Sequence, residues 1–344
     1  MSLGVYFDGF SPTREMLEVA RAAEEAGADS LWFAQHMGFR EAIVWATAAV
    51  SVTRSIRLVP TAISPYLWPP LPVAMSMSTL AEYAGPRTSL AVSVGNLLNL
   101  AESGVEAVKP VRVMREDVQN LRALWAGAPV QAEGEVHRLH GAKMMFDHGS
   151  GCPLYVASTG PQVLRLAGEI GDGVLLSGAL TLESCRRMLE PVDAGIAAAG
   201  RDPTSVRKAG FILFSIAEDG AVARQEMLRK LAFLFRSKGH AANIATAGLD
   251  IDHAAIMDCY ARHDPEGALA HLPEAAATAF AVAGTPSQCR DQLAAYLAAG
   301  LDEPIIEVTG SSEQRRLALA VIREVCGGAA AGSRTAPGAL PGTH

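Results

Sequence analysis

The chain has 344 residues, of which 49% are hydrophobic, and a formal net charge of −7. That length suits two ordinary domains or one large α/β barrel, and the apolar content supplies a core. Net acidity without a clustered run of Lys and Arg excludes a nucleic-acid backbone as partner.

In chain order, apolar strand patterns cover residues 3–7, 30–34, 57–60, 88–94, 154–157, 173–176, 208–216 and 304–308. They are short, apolar throughout and separated by amphipathic helical patterns, which is the signature of a parallel sheet buried on both faces. Ser11-Pro12-Thr13 opens the first helix and Gly27 stops it. Eight strands in βα alternation predict a closed (β/α)8 TIM barrel, one domain over 1–326. A doubly wound sheet is the runner-up, and no G-x-G-x-x-G follows the first strand to support it. Residues 128–152 predict a hairpin-like excursion, and the Ala-rich residues 217–279 a helical insertion after strand seven. The Gly, Ala and Pro of 327–344 predict a flexible tail. Residues 42–52 form the longest apolar stretch, too short to span a bilayer, so no membrane contact is expected. The N-terminus enters a strand directly, so no signal peptide is expected. The five cysteines lack metal spacing and predict free thiols, no bound metal and a cytoplasmic location.

The segment 154–177, LYVASTGPQVLRLAGEIGDGVLLS, is the most informative. A strand ends in Ser158-Thr159-Gly160 and feeds a helix with Pro161 at its first position, where a missing donor costs nothing. Hydroxyls and free N–H groups at a positive helix end make a seat for a phosphate. The same residues also suit an ordinary βα turn.

Barrel chemistry sits where strands end. Strand two ends in Gln35-His36, and a His there can exchange protons with a bound ring or simply serve a polar mouth. Strand three ends in Thr61-Ala62-Ile63. Strand four ends in Gly95-Asn96, with Asn99 one turn on. Gly95 admits a flat ligand close to the backbone, and the two asparagines offer donors and acceptors to a heteroaromatic ring. Gly-Asn also suits a plain turn into the next helix. Asp8 reads as a capping residue, and Tyr66, Trp68, Pro69 and Pro70 as an apolar wall of the mouth.

The ordered blocks DSLWFAQH, RLVPTAISPYLWPP, MSTLAEYAGPRTSLAVSVGN, VRVMREDVQNLRALW, LYVASTGPQVLRLAGEIGDGVLL and AVAGTPSQCRDQLAAYLAAGLDEPIIEV resemble the luciferase-like flavin and deazaflavin oxidoreductase superfamily. The last three are most similar to the branch containing methylene-tetrahydromethanopterin reductase. The resemblance implies a barrel holding FMN or the deazaflavin coenzyme F420 in its mouth. It implies a non-prolyl cis peptide or bulge behind the ring at Ala62-Ile63, with Thr61 beside it. It implies the phosphate contact at Thr159 and Gly160, beside the Ser158 of the turn, the catalytic His at His36, and the ring's border at Gly95 and Asn99, next to Asn96. Asn96 departs from the acid of the sugar-phosphate dehydrogenase branch, and Gln35 from the acid that often precedes the His. The implied activity is hydride transfer with F420, or monooxygenation with FMN reduced by a separate flavin reductase, on a small organic substrate by a homodimer. Two alternatives stay open. One is a non-redox phosphate-binding barrel, although no strand-end Lys or carboxylate pair serves it. The other is a non-catalytic flavin-binding relative, given Gln35.

Overall fold

The computed structural model describes residues 1–146 and 151–327. Its strands are β1 (Gly4–Phe7), β2 (Ser30–Ala34), β3 (Arg57–Thr61), β4 (Leu90–Ser93), β5 (Val130–Glu133), β6 (Arg138–Ala142), β7 (Leu154–Ala157), β8 (Gly173–Leu176), β9 (Arg207–Ile216), β10 (Ala281–Gly284) and β11 (Glu303–Glu307). The main sheet runs β3-β2-β1-β11-β9-β8-β7-β4, every pairing parallel. β3 meets β4 through the bridges Leu58↔Thr88 and Ile63↔Val92, which closes the predicted barrel. The expected tail lies outside the described residues beyond Gly327, where the last helix (Ser312–Gly327) ends.

One strand is missing from the sequence reading. β10 is AVAG, four small residues without the β-branched density that marks a strand. It adds to the second half of β9, pairing residues 281–284 with 213–216, while the first half of β9 pairs with β11 over residues 209–212. β9 and β11 therefore part company above Ile212.

Odd and even strand positions face opposite ways. Trp32, Val59, Ala91, Tyr155, Leu175, Ala209 and Ile305 fill the barrel interior. The opposite faces join the helices in the larger core. Small residues on some strands make room for large ones on others. A Cβ on Gly173 would stand 2.3 Å from the Tyr155 ring, and one on Gly4 2.8 Å from the Trp32 indole nitrogen.

The strand starts carry a buried charge network. Glu303 is 0% exposed and accepts from Arg57, from Arg207 Nε (2.6 Å) and from the Ser30 hydroxyl. Trp32 Nε1 donates to Ser30 Oγ at 2.6 Å, and Arg57 Nη1 to the Tyr155 hydroxyl at 3.0 Å. Burial alone would raise the Glu303 pKa; the charges of Arg57 and Arg207 outweigh it and hold the carboxyl below its ordinary value. These groups plug the N-terminal end of the barrel and leave the opposite end as the mouth.

The β5–β6 hairpin packs over the helix Pro110–Trp125 and the loop after β3. His137 Nε2 bonds the Pro65 carbonyl, and Asp117, 5% exposed, faces Pro65, Asn120, Val136 and His137. Burial pushes the Asp117 carboxyl up to about 7.

Glu303→Gln leaves two arginines facing a neutral amide. It should lower stability by about 3–5 kcal/mol in urea unfolding at pH 7. Because the folded-state pKa is depressed, the stability from this carboxylate is present above the ordinary carboxylate range and lost as pH falls through the folded value. The gap between wild type and variant should therefore shrink in acid.

Asp117→Asn should act with the opposite sign. The folded chain keeps this group protonated where the unfolded chain ionises it, so the wild type loses stability as pH rises from about 4 towards the folded value. Moving the group from 3.8 to about 7 is worth roughly 4 kcal/mol at full extent. The variant should melt higher than wild type at pH 8 and alike at pH 4.

Candidate functional site at the barrel mouth

The residues singled out from the sequence follow β2, β3, β4 and β7, which are consecutive around the barrel. They form one arc of the mouth.

At the end of β3, the steps between the two bridges to β4 are unequal. Five residues separate Leu58 from Ile63, and four separate Thr88 from Val92. The extra residue is a bulge. The Ile63 N–H donates to the Ala91 carbonyl (2.9 Å), and the Ser93 N–H donates back to Ile63 (3.0 Å), so pairing resumes beyond it. The cis peptide lies here between Thr61 and Ala62, one bond earlier than the expected Ala62-Ile63. The physical reason is the register: Ile63 is held in line by β4, which leaves the preceding peptide to absorb the extra residue. Ala62 packs against the barrel-interior cluster, and Ile63 lies in the larger core at 2% exposure. Thr61 is 2% exposed and its Oγ1 has no hydrogen-bond partner among the described residues. Thr61 shares its side of β3 with the interior-facing Val59, so a buried, orphaned hydroxyl lies on the interior side of the strand end.

His36 sits next to this shelf, since the Gln35 N–H donates to the Thr61 carbonyl at 2.6 Å. His36 Nδ1 lies 2.8 Å from the Asp8 carbonyl. A carbonyl only accepts, so Nδ1 carries the proton and Nε2 is left as the ring's acceptor in the neutral form. The ring stands 5.4 Å from Phe10, which contacts Phe39 at 4.3 Å; both phenylalanines are exposed. Asp8 Oδ1 accepts from the Phe10 N–H at 2.9 Å, an Asx turn in the loop; it is not the expected cap, because the first helix begins at Thr13 behind Pro12. Gln35 is turned away from the histidine: its Oε1 accepts from the Ala42 N–H at 2.9 Å, at the start of the helix Ala42–Val50.

Beyond β4, Gly95 has φ +93, and a Cβ there would stand 3.3 Å from Ser64. That position needs glycine on both counts. Asn96 is exposed and caps the helix Leu97–Glu102, its Oδ1 accepting from Leu98 N at 2.9 Å. Its amide N–H groups remain for a ligand. Asn99 is half-buried on that helix.

Beyond β7, Ser158 Oγ accepts from the Gly160 N–H at 3.0 Å, which shapes the turn. The helix Pro161–Ile170 that follows has no side-chain cap. Its first-turn N–H groups and the exposed Thr159 are open to an anion. The helix is held tightly from behind: a Cβ on Gly168 would stand 2.0 Å from the Val192 carbonyl.

Sequence reasoning missed several neighbours of this arc. Gly178, after β8, has φ +95, and a Cβ there would lie 3.6 Å from Thr159 and 3.5 Å from Asn243 Nδ2. Asn243 comes from the insertion and donates to the Gly178 carbonyl. Its only sequence signal was the strand-end Ser177-Gly178 turn. Tyr6 packs against Phe211 with ring centroids 4.4 Å apart and planes tilted by 53°, and its hydroxyl pKa is raised by burial, then by Glu307 and Asp8. Lys230, in the helix Gly220–Phe235, pairs with Glu307 at the end of β11.

The orphaned Thr61 hydroxyl, the uncapped helix and the glycine cradle at Gly178 suit a flat heteroaromatic ring with an anionic tail. The family model for luciferase-like monooxygenases matches residues 4–303. A 5,10-methylenetetrahydromethanopterin reductase of Methanolobus tindarius is 29% identical over 308 residues, covering 88% of this chain and 93% of the relative. An F420-dependent glucose-6-phosphate dehydrogenase of Nocardia farcinica is 30% identical over 326 residues, covering 90% and 92%. The solved coenzyme F420-dependent tetrahydromethanopterin reductase of Methanopyrus kandleri superposes with a TM-score of 0.85 at 22% identity, covering 94% of this chain and 97% of that one. The chain thus belongs to the luciferase-like monooxygenase family, as a flavin- or deazaflavin-dependent oxidoreductase on a (β/α)8 barrel.

Proposed function

We propose that this chain binds coenzyme F420 across the β2–β3–β4–β7 arc and catalyses hydride transfer to or from a small organic substrate. The observation that carries the reading is the placement of the unpartnered, buried Thr61 hydroxyl and His36 on neighbouring strands of one arc with the uncapped helix Pro161–Ile170. F420 in the names of relatives at this level of similarity favours the deazaflavin over FMN. When bound, the cofactor supplies the two-electron redox step. The chain supplies the rest. The bulge at Thr61–Ala62 backs the ring, the Thr61 hydroxyl bonds a ring heteroatom, and the helix N-terminus with Ser158, Thr159 and Gly160 holds the phosphate. The amide of Asn96 and the half-buried Asn99 border the ring beside Gly95. His36, fixed through Nδ1, presents Nε2 for proton exchange with substrate or ring. Phe10 and Phe39 form an apolar lip that sheds water from the site.

The chain also acts as a homodimer in this reading. Val44, Met75 and Tyr83 are 65%, 49% and 62% exposed on the adjoining helices Ala42–Val50 and Pro70–Ala84, an apolar face suited to a second copy. No helix among the described residues is long and apolar enough to cross a membrane.

Titration of the purified chain with F420 and, separately, with FMN tests the cofactor, with saturable binding expected for F420 and weaker or no binding for FMN. The reverse preference would redirect the reading to a monooxygenase served by a separate flavin reductase. Gly160→Leu should fold normally, because a Cβ there meets nothing nearer than Ser158 Oγ at 3.8 Å and φ is −88. It should weaken the cofactor at least tenfold by obstructing the phosphate's approach. His36→Ala should lower kcat by about 10²-fold or more with the cofactor Kd little changed; a wild-type rate would assign His36 to structure alone.

A further inference from the structure

The parting of β9 from β11 has a physical result. Above Ile212, β9 pairs with β10, and the end of β11 turns towards β1 alone. The space between is a cavity of about 230 Å³. Phe214, Ile216 and Met227 form its apolar floor, and Glu226, Lys230 and Glu307 its charged walls.

The charges in it do not balance. Lys230 and Glu307 neutralise each other as an ion pair. Glu226 stands four residues before Lys230 on the same helix face. Its Oε2 accepts from two neutral donors, the Ser215 hydroxyl at 3.0 Å and Gln314 Nε2 at 2.7 Å. No cation pairs with it among the described residues, and its Oε1 makes no hydrogen bond there. The cavity thus combines an apolar floor with one uncompensated, positioned carboxylate. An anion would meet net negative charge; an amidinium would meet a carboxylate able to accept from it in a charge-assisted hydrogen bond.

The cavity also adjoins the mouth. Glu307 ends the interior-facing row that includes Ile305, and the raised pKa of Tyr6 reflects both Glu307 and Asp8, whose carbonyl holds His36. β11, β1 and β2 are neighbours with Glu307 level with Tyr6 and Trp32, and His36 lies four residues further along, so Glu307 and His36 stand roughly 16 Å apart, two strand spacings across and about 13 Å along.

We propose that this cavity binds the cationic end, an ammonium or amidinium, of an extended organic substrate whose other end reaches the ring beside His36. The proposal rests on the oxidoreductase reading for the reacting end only; the cavity itself can be tested without the cofactor. Benzamidine is the probe, its ring matched to the apolar floor and its amidinium to Glu226. Calorimetric titration of the full-length, cofactor-free chain should show saturable binding that weakens with added salt. Glu226→Gln should reduce the affinity at least tenfold. Lys230→Met should leave it equal or tighter, since Glu307 is then released. Absence of saturable binding by wild type, an unchanged affinity in Glu226→Gln, or weaker binding in Lys230→Met would overturn the proposal, as would tighter binding of inorganic phosphate than of benzamidine. F420 fluorescence titrations on the same three proteins separate the two readings. Normal cofactor affinity with no benzamidine site removes the cavity proposal alone, and a benzamidine site without cofactor binding removes the oxidoreductase reading alone.

Discussion

A carboxylate with no access to water lies at the closed end of this barrel, and the arrangement of the strands depends on its partners. Glu303 begins β11, Arg57 begins β3 and Arg207 begins β9, so one acid ties together strands spread around the ring. An isolated charge at this depth would be ruinous; two guanidinium groups and the Ser30 hydroxyl make it tolerable. Such a network constrains register, because sliding any of these strands by one residue would reverse its faces and remove a partner. Above the network come Trp32 and Tyr155, admitted by the glycines that face them. The interior is thereby filled from the bottom, and ligand space remains only where the strands end.

The mouth then acquires its shape from two interruptions of regular pairing. On one side, an extra residue in β3 makes the bulge that carries the cis peptide, next to a Thr61 hydroxyl with no hydrogen-bond partner among the described residues. On the other side, β9 changes partner from β11 to β10 and leaves a cavity between the diverging strands. A closed parallel barrel offers few free backbone groups of its own. Departures from its regularity shape the surface of the proposed ring seat on one side and of the proposed polar site on the other.

The insertion contributes more than cover. Its helices enclose a second apolar core around Met227, Leu231, Phe235 and Phe280. That core fixes the helix bearing Glu226 and Lys230, and it places Asn243 against the Gly178 carbonyl beside the proposed phosphate seat. Residues far apart in the chain thus meet on both flanks of the mouth, with the barrel as the common frame.

Much of this was legible in the amino-acid order. Short, continuously apolar strands alternating with amphipathic helices can only form a parallel sheet covered on both faces, and the absence of a glycine fingerprint after the first strand favours closure. The Ser-Thr-Gly-Pro turn declares a helix start and a free set of N–H groups within four residues, because those properties are local. His36 and Thr61 were recognisable by their places at strand ends. Other features were decided only by the fold. β10 is no shorter than β1, β7 or β8, but its side chains are too small to announce it, and it is a strand because β9 extends far enough to receive it. The position of the cis bond depends on which residue of β3 is held by β4, a long-range register. Asn96 and Gln35 each have a carboxamide that can serve a ligand or a helix end, and the geometry commits one oxygen of each to a backbone N–H. The unbalanced charge of Glu226 is likewise invisible in the sequence, since whether a carboxylate has a partner depends on what the tertiary structure brings within a few ångströms of it.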